Sequence, residues 1–229
     1  MIHYHGTPIT PRRELEKMAG RHFCVSFAHP QDADWCLENA QSVMWDNGAF
    51  SSFTKGKRFD VDGYAAWVEP KLFHPHWAII PDVIGGSVDD QKELLSKWTF
   101  SKDFSAPVWH IHLSVDWLVE LCENYPRVCF GSSGEFWKIG TDEWLRRIDM
   151  AFNAIQSRNI KTWIHMLRAM SAASKGYWPF ASADSTNVAR NFKNKGYERC
   201  PEDMARRIDS SQPRPNWRIS FEEQKEFDF

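Results

Sequence analysis

Two aspartates stand where a chain can do nucleophilic and acid/base chemistry. Asp184 ends the short apolar run Phe180-Ala181-Ser182-Ala183, behind an aromatic, Pro-broken loop, and is followed by Ser185 and Thr186. Asp46 sits in Met44-Trp45-Asp46-Asn47-Gly48-Ala49-Phe50, where an apolar run ends in an acid and a glycine then frees the backbone. A carboxylate held at a strand end can attack or stabilise an electron-poor carbon, and a second one can deliver and retrieve a proton. Asp82 follows Ile79-Ile80-Pro81 in a third such place, where a turn-forming role competes with a functional one.

The elements that must position these acids are legible as short apolar runs separated by polar, helix-like intervals. Strands are expected at Ile2 to His5, Phe23 to His29, Ser42 to Trp45, Trp77 to Pro81, Val108 to His112, Val128 to Phe130, Thr162 to Leu167 and Phe180 to Ala183. Helices are expected at Pro11 to Ala19, Asp60 to Leu72, Val88 to Phe100, Val115 to Asn124 and Thr141 to Ser157, the last opened by Thr141 as N-cap. Eight strands alternating with helices predict a compact α/β fold, a (β/α)8 TIM barrel over residues 1–191, with a short basic C-terminal extension over 192–229 packed on or beside it. A doubly wound open sheet is the rival. In a barrel the functional groups project from the C-terminal strand ends, which here carry His5, His29, Asp46, Asp82, His112, Gly131 to Glu135, His165 and Asp184.

The 229 residues, 42% hydrophobic, suit one large domain. Twelve Trp and sixteen Phe serve a core or a base-stacking surface equally well. Five scattered cysteines without a C-x-x-C pair point to free thiols in a reducing compartment. With no leader-like N-terminus and no apolar stretch near the roughly 20 residues that span a bilayer, the chain is expected to be soluble and cytoplasmic. Net charge is −2, yet Arg190 to Arg218 hold eight basic against four acidic residues, a surplus of four that leaves the rest at −6. Such a patch attracts a phosphate backbone, or is a solvated tail. There is no G-x-G-x-x-G and no G-K-[ST] loop, so dinucleotide and P-loop chemistry lack their signatures.

Four segments, Trp45-Asp46-Asn47-Gly48-Ala49-Phe50, Ile79-Ile80-Pro81-Asp82, Phe130-Gly131-Ser132-Ser133-Gly134-Glu135 and Ser182-Ala183-Asp184-Ser185-Thr186, together resemble the tRNA-guanine transglycosylase superfamily. The likeness is greatest to its DNA-acting branch, the deazaguanine DNA transglycosylases of phages and bacterial modification islands. The resemblance implies exchange of guanine in a polynucleotide for a 7-deazaguanine base through a covalent glycosyl-enzyme. It makes Asp184 the nucleophile at C1′ and Asp46 the general acid/base. Asp82 would read the base edge, Phe50 would stack on it, Gly131, Ser132, Ser133 and Gly134 would offer backbone amides, and His112 would take the place of a base-contacting Gln. The family's Cys-x-Cys-x-x-Cys and His zinc set is missing, with Cys200 alone, so no structural zinc and no cofactor are expected. Together with Ser185-Thr186-Asn187 in place of a Pro-Thr-Arg type sequence, this favours DNA over tRNA, with a free 7-deazaguanine base as second substrate. The setting would be cytoplasmic, in the host cell if phage-encoded, with a protein partner or homo-oligomer to supply specificity.

Arg168, Lys175, Arg190 and Lys193 are the candidate phosphate contacts. Two other readings stay open. His3-x-His5 on the first strand, with His112, His165 and Asp184, is the pattern of a zinc-dependent amidohydrolase or nucleobase deaminase, because alternate strand residues face the same way. A non-catalytic barrel that holds DNA through its basic segment is the other.

Overall fold

Alternation along each strand decides the architecture, since every second side chain must be buried inside a ring of strands and every other one beneath helices. In the computed structural model, which describes residues 1–194, 200–215 and 217, nine parallel strands form a nearly closed barrel with helices around it. The strands are β1 (Ile2–Gly6), β2 (His22–Ser26), β3 (Ser42–Asp46), β4 (Trp77–Ile79), β5 (Ser105–Ala106), β6 (Val108–His110), β7 (Arg127–Gly131), β8 (Trp163–Met166) and β9 (Ser182–Ser185). Their order is β5-β4-β3-β2-β1-β9-β8-β7-β6.

The expected fifth strand is in fact two. Pro107 has no N–H to give and separates β5, which pairs with β4, from β6, which pairs with β7. Ile80 N–H donates to Ala106 O at 2.9 Å and Cys129 N–H to Pro107 O at 2.8 Å, so the ring is drawn together across this break. An open doubly wound sheet is thereby ruled out.

Tyr4, Cys24, Met44, Trp77, Ile79, Ala106, Val108 and Cys129 fill the interior. The Tyr4 hydroxyl accepts from Trp77 Nε1 at 2.9 Å and from Ser42 Oγ at 3.2 Å, which settles the buried polar atoms of this floor. Outside the strands, two larger apolar clusters pack under the helices. The aromatic surplus serves mainly this core: Trp45, Trp77, Trp109 and Trp144 are fully buried, whereas Trp137 is exposed. Truncating any of the four to Ala would cost about 3–5 kcal/mol.

The helices are α1 (Arg12–Glu16), α2 (Ala33–Asn39), α3 (Ala49–Thr54), α4 (Val61–Val68), α5 (Val88–Lys97), α6 (Val115–Asn124), α7 (Asp142–Gln156), α8 (Met170–Ala173), α9 (Asn187–Asn191) and α10 (Pro201–Ser210). Thr141 caps α7 through Trp144 N–H at 3.3 Å. Thr141→Ala is expected to cost about 1 kcal/mol and lower Tm by about 2–4 °C in a thermal melt. Several expected boundaries move. β2 stops at Ser26 rather than His29, because Phe27 N–H turns to Asp46 O. α1 ends at Glu16 and α5 at Lys97, short of Ala19 and Phe100. α4 ends at Val68 and passes into a 3-10 turn, Glu69–Lys71, that contains Pro70. From the C-terminal extension, Met204 and Ala205 of α10 join the apolar cluster under β2, and Trp217 packs on the opposite cluster.

Candidate active site

Tyr4 fills the interior and is in register with Asp184, and Met44 precedes Asp46 by two residues on β3, so both acids face inward at the C-terminal mouth. The two carboxylates are held differently. Asp184 Oδ1 accepts Arg168 N–H at 3.0 Å and lies 3.3 Å from His165 Nε2. Both donors meet the same oxygen, which leaves Oδ2 with no hydrogen-bond partner among the described residues.

His165 is itself oriented by a chain of hydrogen bonds. Ser182 Oγ accepts the Trp163 indole N–H at 2.8 Å and lies 2.8 Å from His165 Nδ1, and because the Asp184 carboxylate can only accept, a ring protonated on Nε2 alone takes the Ser182 hydroxyl at Nδ1. Nε2 then carries the proton that points at Asp184. Ser182→Ala would leave the indole N–H and Nδ1 without partners and is expected to cost about 1–3 kcal/mol, readable as a lower Tm or denaturant midpoint.

Asp46 accepts Gly48 N–H at 3.2 Å and a hydrogen bond from Ser26. It retains some contact with solvent at the bottom of the mouth, but protein atoms crowd the carboxylate. This desolvation, with the negative charges of Asp184 and Asp82 behind it, pushes Asp46 up to about 6. Gly48 makes the turn possible: its φ is +77°, and a Cβ there would lie 3.0 Å from Ala28 N.

Asp82 has a partner at one oxygen and a close histidine at the other. Asn47 Nδ2 donates to Oδ1 at 2.7 Å, and His110 Nε2 lies 2.9 Å from Oδ2 without hydrogen-bond geometry. The inward histidine of this wall is His110, since β6 ends there and not at His112. His112 sits in the following loop, with Nε2 toward Gly86 O at 3.3 Å and Nδ1 2.9 Å from Ser133 Oγ. Burial lowers the pKa of His112, so its neutral ring donates from Nε2 and accepts at Nδ1. Of the expected amide turn, Gly131 ends β7, Ser132 Oγ accepts Trp144 Nε1–H at 2.9 Å, and Ser133 Oγ bridges the two histidines. Gly134, at φ +58°, lies against His112, where a Cβ would come within 2.9 Å of that residue's own Cβ.

Phe50 opens α3 at the rim, 39% exposed, with the Arg168 guanidinium 3.3 Å from its ring centroid. Arg168 has φ +66°, a left-handed backbone rarely taken by a side-chain-bearing residue. Burial lowers its pKa while Asp184 and Asp46 oppose that shift and Arg190 adds to it, so Arg190 also lies near the mouth. Lys175, Arg190 and Lys193 are exposed. Lys195, Glu198, Arg199 and Arg218 of the basic segment lie outside the described residues.

The amidohydrolase arrangement is not formed. His3 and His5 flank the inward Tyr4 on β1 and therefore face outward, away from Asp184, toward Asp209 of α10. Burial drives His5 down to about 4. Sequence reasoning missed the supporting roles of His110, Asn47, Ser182 and Trp163; the inward period through Trp163, His165 and Leu167 was the available signal. All five cysteines are free, four of them buried. A groove lined by Lys92, Leu95, Trp117 and Tyr125 lies on the outer wall between α5 and α6, apart from the carboxylates. Among the described residues no helix is long and apolar enough to cross a membrane. No protein-family model and no curated protein matches the chain.

Proposed function

We propose that this barrel is a DNA guanine transglycosylase, a pentosyltransferase that exchanges guanine for a 7-deazaguanine base. The observation that carries the reading is the contrast between two inward carboxylates at one mouth. One has a free oxygen and two donors on the other; the second has its pKa raised to about 6. Breaking an N-glycosidic bond builds positive charge on C1′, which an anionic Asp184 stabilises and captures through Oδ2. The departing guanine gains negative charge and takes a proton from Asp46, which then removes one from the incoming base. Crowding one acid while leaving an oxygen of the other without a partner gives the site a proton donor beside a nucleophile.

A base inside a duplex is out of reach, so the nucleotide is single-stranded or extruded, and Phe50 gives it a face to stack on. Arg168 covers that face, and the base displaces it toward the backbone phosphates. Arg190, with Lys175 and Lys193, extends the positive rim.

The test is incubation of the full chain with guanine-containing DNA and a labelled 7-deazaguanine base. Label in DNA and a protein–DNA adduct on denaturing gels are the expected results. Absence of both across single-stranded, duplex and RNA substrates rejects the proposal. Salt-dependent DNA binding without any exchange would support the non-catalytic barrel instead.

A further inference from the structure

We propose that His3, His5 and Asp209 form a zinc site on the outer face of β1, which clips α10 to the barrel. It is independent of the base-exchange reading, because these side chains point away from the mouth. Their candidate ligand atoms all lie within 4.8 Å of one another. His5 Nε2 is 3.0 Å and His3 Nδ1 3.4 Å from the same oxygen, Asp209 Oδ1. Ligands at about 2.0–2.1 Å from a tetrahedral zinc stand about 3.3 Å apart, close to both histidine–carboxylate separations, and the two ring nitrogens lie within 4.8 Å of each other.

The surroundings of His3 match what a ligating group requires, whereas His5 Nδ1 is buried with no hydrogen-bond partner. His3 is 3% exposed, and its Nδ1 is buried with no hydrogen bond, aimed into the cluster. Its other nitrogen, Nε2, lies 2.8 Å from Ser185 Oγ, which fixes the ring and leaves the Nδ1 lone pair for a metal. Arg21 binds Asp209 Oδ2 and so orients the carboxylate with Oδ1 inward. That nearby guanidinium opposes any cation, and a weakly held oxygen-seeking ion would not overcome it. Two imidazoles and a carboxylate select a borderline metal such as Zn²⁺ over Ca²⁺ or Mg²⁺. The side chain of Asp209 is 32% exposed, which admits water to a fourth position.

The competing arrangement is a hydrogen-bonded knot in which both rings donate to Asp209 beside Arg21. The two are separated with the full chain, stripped by EDTA and then given Zn²⁺ or Co²⁺. The zinc site predicts one Zn²⁺ per chain after gel filtration and the intense visible absorption of tetrahedral Co²⁺. It also predicts a Tm rise of about 5–10 °C at Zn²⁺ a hundredfold above its Kd. His3→Gln and Asp209→Asn should lose all three effects, while His165→Gln, on the inner wall, should keep them. Wild-type protein that takes up no stoichiometric zinc and shows an unchanged Tm overturns the proposal without reference to any variant. Binding that survives both His3→Gln and Asp209→Asn, or that His165→Gln removes, overturns it as well.

Discussion

Asp184→Asn is expected to abolish the protein–DNA adduct and lower base exchange on the order of 10⁴-fold or more, with DNA binding in low salt changed less than about twofold. The amide is the same size, and its oxygen can still accept from Arg168 N–H and His165, so the wall around β9 keeps its shape. What it loses is charge. A neutral amide neither stabilises the cation developing at C1′ nor closes a stable bond to it, and a 10⁴-fold loss corresponds to about 5.4 kcal/mol of transition-state stabilisation. A variant that retains exchange within tenfold of wild type, measured as label entering DNA in a single turnover, would remove Asp184 from the role of nucleophile. Because both donors lie on Oδ1, the same logic ranks the neighbours. Losing His165 should weaken the orientation of the carboxylate, but Arg168 N–H still holds it, so the rate loss should be far smaller than for Asp184 itself.

The sequence carried the wall of the barrel and the identity of its two inward acids, because both rest on local pattern. α6 runs over the expected Val115–Asn124, and α7 starts after the Thr141 cap, since these helices show clear amphipathic periodicity with side-chain caps. The short helices α2 and α3 were hidden, because seven and six residues carry too little periodicity and their stability comes from packing. Period two showed that His3 and His5 share a face; it could not say which face. That answer came from β1 pairing with β9, a contact across most of the chain. The strand bearing His110 ends there and leaves His112 in a loop, because an apolar run does not mark where strand pairing stops. Asp209 is the clearest case of a non-local outcome. Counted as one acid in a basic tail, it meets Arg21, His3 and His5 from almost the other end of the chain.

Asp46 should give the two halves of the reaction opposite pH dependence. In the proposed exchange, adduct formation takes its proton for the departing guanine, so that rate should fall as pH rises through about 6. Release of the adduct to the incoming base needs the carboxylate, so that rate should fall toward acid. The two limbs should not share one midpoint. The charge of Asp184 is among the causes that raise Asp46, and once Asp184 is bound to the sugar that charge is gone. Asp46 is then a stronger acid in the adduct, and the acid limb of the second half should lie below 6. Asp46→Asn should slow adduct formation about 10²- to 10⁴-fold and flatten both limbs. The stability effect has the opposite sign. A carboxyl whose pKa is higher folded than unfolded binds its proton more tightly in the native state, so folding loses stability as pH rises from about 4 to 6 and bears the full cost above. Removing that charge should stabilise the protein by about 1–2 kcal/mol at pH 7–8, after allowance for the carboxylate's partial contact with water, and by nothing at pH 4. A Tm of Asp46→Asn at or below wild type at pH 8, or coincident limbs in single-turnover profiles, would break the link between the desolvation of Asp46 and its role as the acid.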